Sequence, residues 1–285
     1  MAYLPNDIKD YYESTHVHYK KWWKLDQHLA LHYGVWTPEV KSFAESIKNT
    51  NQIMLDAAQL EANHEVLDAG CGVGGAAFFI HQSTGAKVTG ISLSPTQINM
   101  ANELAQKHKL ESKLNFQLRD YLKSEFPKES FDLVWACESI CHAKDKKEFF
   151  LEVHRILKPG GKLVLVDYFK TKDDQKDPNQ WIKKWLDTWA IARIISLRLF
   201  KTELESTGFT QVRSTNYTQE IYKSSRFMYL ASLAGALPTK LYKLYNPKAS
   251  KFSQSHYKGG IYQFRALKDQ LWEYHLVVAH KADKS

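Results

Sequence analysis

The chain has 285 residues, 44% of them hydrophobic and 25% charged, and a formal net charge of +8. That composition supplies a core for one α/β domain with elaborations and excludes composition-driven disorder, and no run approaches the roughly 18 uncharged apolar residues of a spanning helix. Cys71, Cys137 and Cys141 are too few and too unevenly placed for a disulfide framework or a zinc site, so they read as buried reduced thiols, and no metal is expected.

The basic residues read as spread along the chain, densest at 18–24 (HYKKWWK) and from Lys240 to Lys258. Neither tract belongs to a recognisable nucleic-acid module, so a solvated basic face is expected, with membrane-surface contact as the alternative. The first residues lack a basic-then-apolar signal, which gives a cytoplasmic expectation.

Residues 1–60 read as a helical leader rich in Tyr, Trp and His, in which Phe43, Ile47, Met54, Leu55 and Ala58 share a stripe. From Glu65 to about Phe169 short apolar runs alternate with helical segments, the pattern of a parallel sheet with crossover helices. Strands are expected at 65–70, 87–92, 114–120, 131–137 and 162–169, and helices at 96–110 and 146–157. Lys158-Pro159-Gly160-Gly161 is expected to stop the last helix and turn the chain into the next strand. Further on, a tryptophan-bearing helix is expected at 178–199, a strand at 210–218, a helical insert at about 220–270, and a closing strand at 273–281 whose alternation suits a sheet edge.

The sharpest motif is VLDAGCGVGGAAFFI, residues 66–80: a strand, a turn with Gly70, Gly72, Gly74 and Gly75, and a helix start. Glycine is needed where a ligand lies against the backbone and where φ is positive, and the helix N-terminus adds unpaired amide donors. The same turn fits the dinucleotide fingerprint G-x-G-x-x-G, but the carboxylate that should end the second strand and grip a ribose is replaced by Ser92. A hydride-transferring dinucleotide enzyme therefore lacks its second support.

Four blocks in order, VLDAGCGVGG, GISLSPTQINMANELA, FDLVWACESICHAKDK and LKPGGKLVLVDYF, resemble those of class I S-adenosylmethionine-dependent methyltransferases. The resemblance covers residues 66–169. It implies a Rossmann-like, seven-stranded, mostly parallel sheet with the last strand antiparallel, flanked by helices. It also implies a lid at 1–60 and a methyltransferase domain at 61–285 with acceptor-covering inserts at about 170–200 and 220–270. S-adenosyl-L-methionine is then the donor and S-adenosyl-L-homocysteine the product. Donor contacts are expected from Asp68, Gly70, Cys71, Gly72, Gly74, Ser92, Asp120, Tyr121 and Cys137, with Gln97 standing in for the missing ribose carboxylate, as in relatives resembling cyclopropane fatty acid and tocopherol enzymes.

The segment Glu138-Ser139-Ile140-Cys141-His142-Ala143 resembles the E-A-T-C-H-A string of sterol C-methyltransferases, which makes Glu138 and His142 the catalytic candidates and a lipophilic isoprenoid-type molecule the expected acceptor. Aromatic faces and carboxylates stabilise a carbocation, and His or Glu takes its proton. Tyr19, Tyr33 and Trp36 are lid candidates, while Trp181, Trp185 and Trp189 read as core packing more readily than as a ligand cage. Alternatives at this level are N- or O-methylation of a small polar or aromatic metabolite and a non-catalytic nucleotide-fold binder. No nucleic-acid partner is expected, and the sequence is silent on oligomeric state.

Overall fold

In this computed structural model residues 3–22, 25–245 and 250–283 are described. Helix α1 (Pro5–Trp22) and a single turn, α2 (Leu25–His28), lead into an irregular segment over 29–42, and α3 (Phe43–Ala58) follows. Ser42 caps α3 by accepting from the Glu45 amide, and the helix buries Ile47, Met54, Leu55 and Ala58. Phe43 lies only half-buried at its start.

Seven strands then form one sheet: β1 (Glu65–Ala69), β2 (Lys87–Ser92), β3 (Leu114–Leu118), β4 (Phe131–Cys137), β5 (Leu157–Lys170), β6 (Phe209–Asn216) and β7 (Trp272–Lys281), in the order β3-β2-β1-β4-β5-β7-β6. Only β7 runs antiparallel, seated between β5 and β6. It is therefore an interior strand, not the edge its alternation suggested. The crossover helices α4 (Gly75–Thr84), α5 (Pro95–Lys107), α6 (Lys146–Ile156) and α8 (Leu197–Glu205) cover both faces. Alternate residues feed two cores: Val66, Leu133 and Trp135 on the side of α4 and α5, Leu67, Val134 and Ala136 on the side of α6 and α8. Complete burial of side chains this size stabilises the fold by about 1.5–3 kcal/mol each.

Two expected boundaries move for physical reasons. The Lys158–Gly161 segment is a bulge inside β5: Leu157 pairs with Phe131 and Lys162 with Leu133, and the extra residues are taken up where Gly160 adopts φ 73°. The helix expected at 178–199 is broken into α7 (Trp181–Thr188) and α8, because Ala190 takes φ 51° and the β-branched run Ile191, Ile194, Ile195 is buried in a non-helical link. Beyond β6 the chain forms two long helices, α9 (Tyr222–Tyr245) and α10 (Lys251–Lys268), which pack on each other, α10 also resting on α1 and α7, over the carboxyl ends of the parallel strands.

Candidate active site

The carboxyl ends of β1, β2 and β4 meet α1, α9 and α10 around a mainly apolar cavity of about 190 Å³. At one end stands the glycine turn. Gly70 (φ 91°) has no Cβ because one would fall 2.4 Å from Ser139 Cβ, whereas a Cβ on Gly72 (φ 53°) would meet nothing within 4 Å and point into open space. Gly74 and Gly75 serve packing instead: a Cβ on the first would strike the Phe116 ring at 2.8 Å, and one on the second would lie 2.0 Å from the Leu29 carbonyl oxygen. Gly75→Ala is accordingly expected to prise the leader from α4 and cost about 1–3 kcal/mol, read as a lower denaturant midpoint at constant slope. An unchanged midpoint would show that the leader yields freely.

Asp68 closes this end. It is buried, its Oδ2 has no hydrogen-bond partner, and burial pushes its carboxyl up to about 7. Such a group is a vacant acceptor for a cationic donor. Beside it Ser92 Oγ donates to Gln97 Oε1 at 2.8 Å, with Ser94 capping α5 through the Gln97 amide. Glu13 of α1 accepts from Ser94 Oγ, Thr96 Oγ1 and the Thr96 amide, which latches the leader onto the first turn of α5. An amino-acid ammonium beside Asp68 and a sugar near Ser92 and Gln97, lying over the open face of Gly72, match these vacancies, so the residues present fit the expected sulfonium nucleotide.

At the other end Glu138, at φ 50°, is clasped by three donors from three elements: the Tyr33 amide to Oε1 at 2.6 Å, the Tyr274 hydroxyl to Oε1 at 2.8 Å, and the Tyr168 hydroxyl to Oε2. Burial raises the Glu138 carboxyl to about 8 against the pull of these hydrogen bonds. His142 is held between the Ala190 carbonyl, 3.0 Å from Nδ1, and the Tyr12 hydroxyl, 2.9 Å from Nε2. A carbonyl can only accept, so Nδ1 carries the proton and Nε2 receives the Tyr12 hydroxyl. Burial pushes His142 down to about 4, and it is neutral at ordinary pH. The break after α7 thus has a use, since it turns the Ala190 carbonyl onto the imidazole.

Asp68, Gly70, Cys71, Gly72, Ser92, Gln97, Tyr121, Cys137, Glu138, His142 and Tyr33 all line this cavity, while Gly74, Asp120 and Trp36 stand off its wall. Asp120 Oδ1 instead accepts from the Leu122 amide, because β3 ends at Leu118 and the chain turns there; its neighbours Arg119 and Tyr121 take the wall. Tyr121 donates to the Ser139 carbonyl at 2.9 Å. The Trp36 indole donates to Ser224 Oγ at 2.9 Å and ties the leader to the start of α9. The Tyr19 side chain lies outside the described residues. Of the tryptophan series only Trp189 lines the cavity; Trp185 is fully buried, and Trp181 packs against Tyr262. Among the described residues no cluster could hold a metal ion.

Tyr168 and Tyr274 are site residues that no sequence motif marked, and Tyr12 stood out only as one of several leader aromatics. Tyr168 lies near the end of β5 and pairs with Tyr274 near the start of the antiparallel β7, so both reach the same end of the sheet; that signal becomes usable once the strand order is known.

Residues 67–165 match the family model described as a methyltransferase domain. The 2-methyl-6-phytyl-1,4-hydroquinone methyltransferase of Synechocystis sp. is 33% identical over 220 residues, which are 74% of this chain and 64% of that protein. The sterol 24-C-methyltransferase of Kluyveromyces lactis is 33% identical over 175 residues, 60% and 47% of the two chains. This chain therefore spans about half to two thirds of the length of these relatives. Among solved structures, geranyl diphosphate C-methyltransferase from Streptomyces coelicolor A3(2) shares the fold with a TM-score of 0.76 at 18% identity, covering 98% of this chain and 97% of its own.

Proposed function

Because the chain belongs, through residues 67–165, to the methyltransferase domain family, we propose that it moves a methyl group from S-adenosylmethionine to a carbon of an isoprenoid or similarly lipophilic acceptor. The observation that carries this reading is Glu138, a carboxylate fixed by three donors in a wall of Tyr33, Tyr168 and Tyr274, opening on the same cavity as Asp68. When bound, the sulfonium supplies an already activated methyl group. Alignment of the acceptor then does most of the catalysis, contributing up to about 7–11 kcal/mol.

Attack by an alkene would form the new carbon–carbon bond as the methyl–sulfur bond breaks, its electron pair staying on sulfur to leave S-adenosylhomocysteine, and would put a positive charge on the neighbouring carbon. Tyrosine faces and the Glu138 carboxylate lower the energy of that charge. A proton adjacent to a carbocation is strongly acidic, so a weak base suffices to remove it. Tyr12 accepts it while passing its own hydroxyl proton to His142 Nε2, which is free to take one because Nδ1 is committed to Ala190. His142→Ala is expected to lower turnover by about 10²-fold with donor affinity within about twofold. A loss confined to donor affinity would move His142 from chemistry to binding.

The same Tyr12–His142 pair favours one second reading, O-methylation of a hydroxyl whose proton it removes. Product analysis with labelled donor separates the two: a methyl on carbon supports the proposal, and a methyl ether replaces it. An acceptor of the proposed kind partitions into bilayers, so this reading includes contact with a membrane surface, from the cytoplasmic side expected of the sequence.

A further inference from the structure

Helix α9 has two apolar faces. Met228, Ala231, Ser232, Gly235 and Thr239 face the cavity, whereas Phe227, Leu230, Leu233 and Leu237 are 44–66% exposed on the opposite side. Spacings of three and four align those four into a ridge along the helix. At its start the ridge rests on the leader, Phe227 lying 5.0 Å from the Phe43 ring; from Leu230 onward it faces outward. Half of the exposed large hydrophobic residues in the described structure belong to this ridge.

The charge is equally concentrated, contrary to the spread expected from the sequence. Between Ile221 and Lys268 there are nine Lys and Arg and no Asp or Glu, while the rest of the chain holds 30 basic and 31 acidic residues. The segment of α9 and α10 therefore carries the whole positive excess of the protein. Lys223 and Arg226 are exposed within the first turns of α9.

From this pairing of ridge and charge we infer that α9 is a docking surface for an anionic lipid bilayer, lying in the headgroup layer and admitting acceptor from the membrane directly into the cavity on its other side. The delivery half of the inference rests on the lipophilic acceptor proposed above; the docking half does not. A nucleic acid would take the cations and leave the leucine ridge in water. A second copy of the chain would bring Lys223 and Arg226 against their own counterparts in a symmetric contact. A bilayer bearing acidic headgroups takes both features, as interfacial helices do. No described helix is long and apolar enough to cross a membrane, which leaves the surface as the place to lie. Only one helix, with small residues at Ala231, Ser232 and Gly235 on its inner side, then separates lipid from the site.

The test is flotation of the full chain with phosphatidylcholine vesicles containing about 30 mol% phosphatidylserine, at low and high salt. Binding is expected to the acidic vesicles, to fall at least tenfold on pure phosphatidylcholine or at high salt, and to be lost by at least tenfold in Leu230→Gln/Leu233→Gln/Leu237→Gln. That variant should keep wild-type S-adenosylhomocysteine affinity, melting temperature and turnover of detergent-dispersed acceptor. No flotation of the wild type overturns the inference, as does equal flotation of the triple variant. So does a dimer that the triple variant dissociates without any vesicle binding. Vesicle binding is measured without donor or acceptor, so failure of the methyl-transfer proposal shows separately, as absent turnover in detergent.

Discussion

Replacement of Glu138 by Gln is expected to lower turnover by about 10²–10⁴-fold while leaving S-adenosylhomocysteine affinity within about threefold. The amide keeps the size of the side chain and can still accept from the Tyr33 amide and a tyrosine hydroxyl, so the clasp survives in outline. What it would lose, on the proposed reading, is the negative charge that steadies a developing cation. Burial holds the Glu138 carboxyl at about 8, so most of it is protonated at neutral pH; on the proposed reading a cationic donor entering the cavity would draw the proton off, and the charge would be created by loading the site. A fall in donor affinity with turnover intact would place Glu138 in ground-state binding and remove it from the chemistry.

That elevation also has a stability consequence with a definite sign. The folded pKa of about 8 lies above the ordinary value of 4.5, so the folded state holds a proton that the unfolded chain releases. The associated stabilisation is complete below about pH 4.5 and disappears as pH rises to about 8. Asp68 behaves alike between 3.8 and about 7. Ligand-free protein should lose stability across this window, and Glu138→Gln should flatten part of the loss in a melting-temperature profile.

The second large effect is at the opposite end of the cavity. Asp68→Asn is expected to weaken S-adenosylhomocysteine binding by about 10–100-fold, the worth of roughly 1.5–3 kcal/mol for a hydrogen bond to a charged group. Titration calorimetry at several pH values adds a signature that mere damage to the turn cannot imitate. Only the ionised Asp68 can pair with an ammonium, so wild-type affinity should rise about tenfold per pH unit below pH 7 and level off above it. The Asn variant should show no such rise. An identical slope in both proteins would assign the proton to another group and leave Asp68 a support for the turn.

The positions of many of these residues were readable beforehand. The glycine turn, the Ser92–Gln97 substitution and the Glu138–His142 block all sit at strand ends, where sequence spacing and position in the fold are the same thing. What escaped were roles set by contacts distant in sequence. Gly74 was expected to touch the donor and makes room for the Phe116 ring, a contact spanning 42 positions. Trp36 looked like a lid and anchors α9 through Ser224. Asp120 was displaced by ending its strand two residues early, an error small in the chain and decisive for which neighbour reaches the wall. Tyr168 and Tyr274 meet only because β7 inserts beside β5, and no local pattern announces that pairing.

The insertion of β7 has an effect on how the protein comes into being. On a ribosome the residues from Trp272 onward emerge after everything else in the sheet, yet they fill its interior; until then β5 presents an open edge, β6 has no partner strand, and Glu138 lacks the hydroxyl of Tyr274. A nascent chain stalled short of that point therefore exposes the β5 edge and lacks part of the Glu138 clasp at once, so the candidate site is completed in the same step that buries that edge.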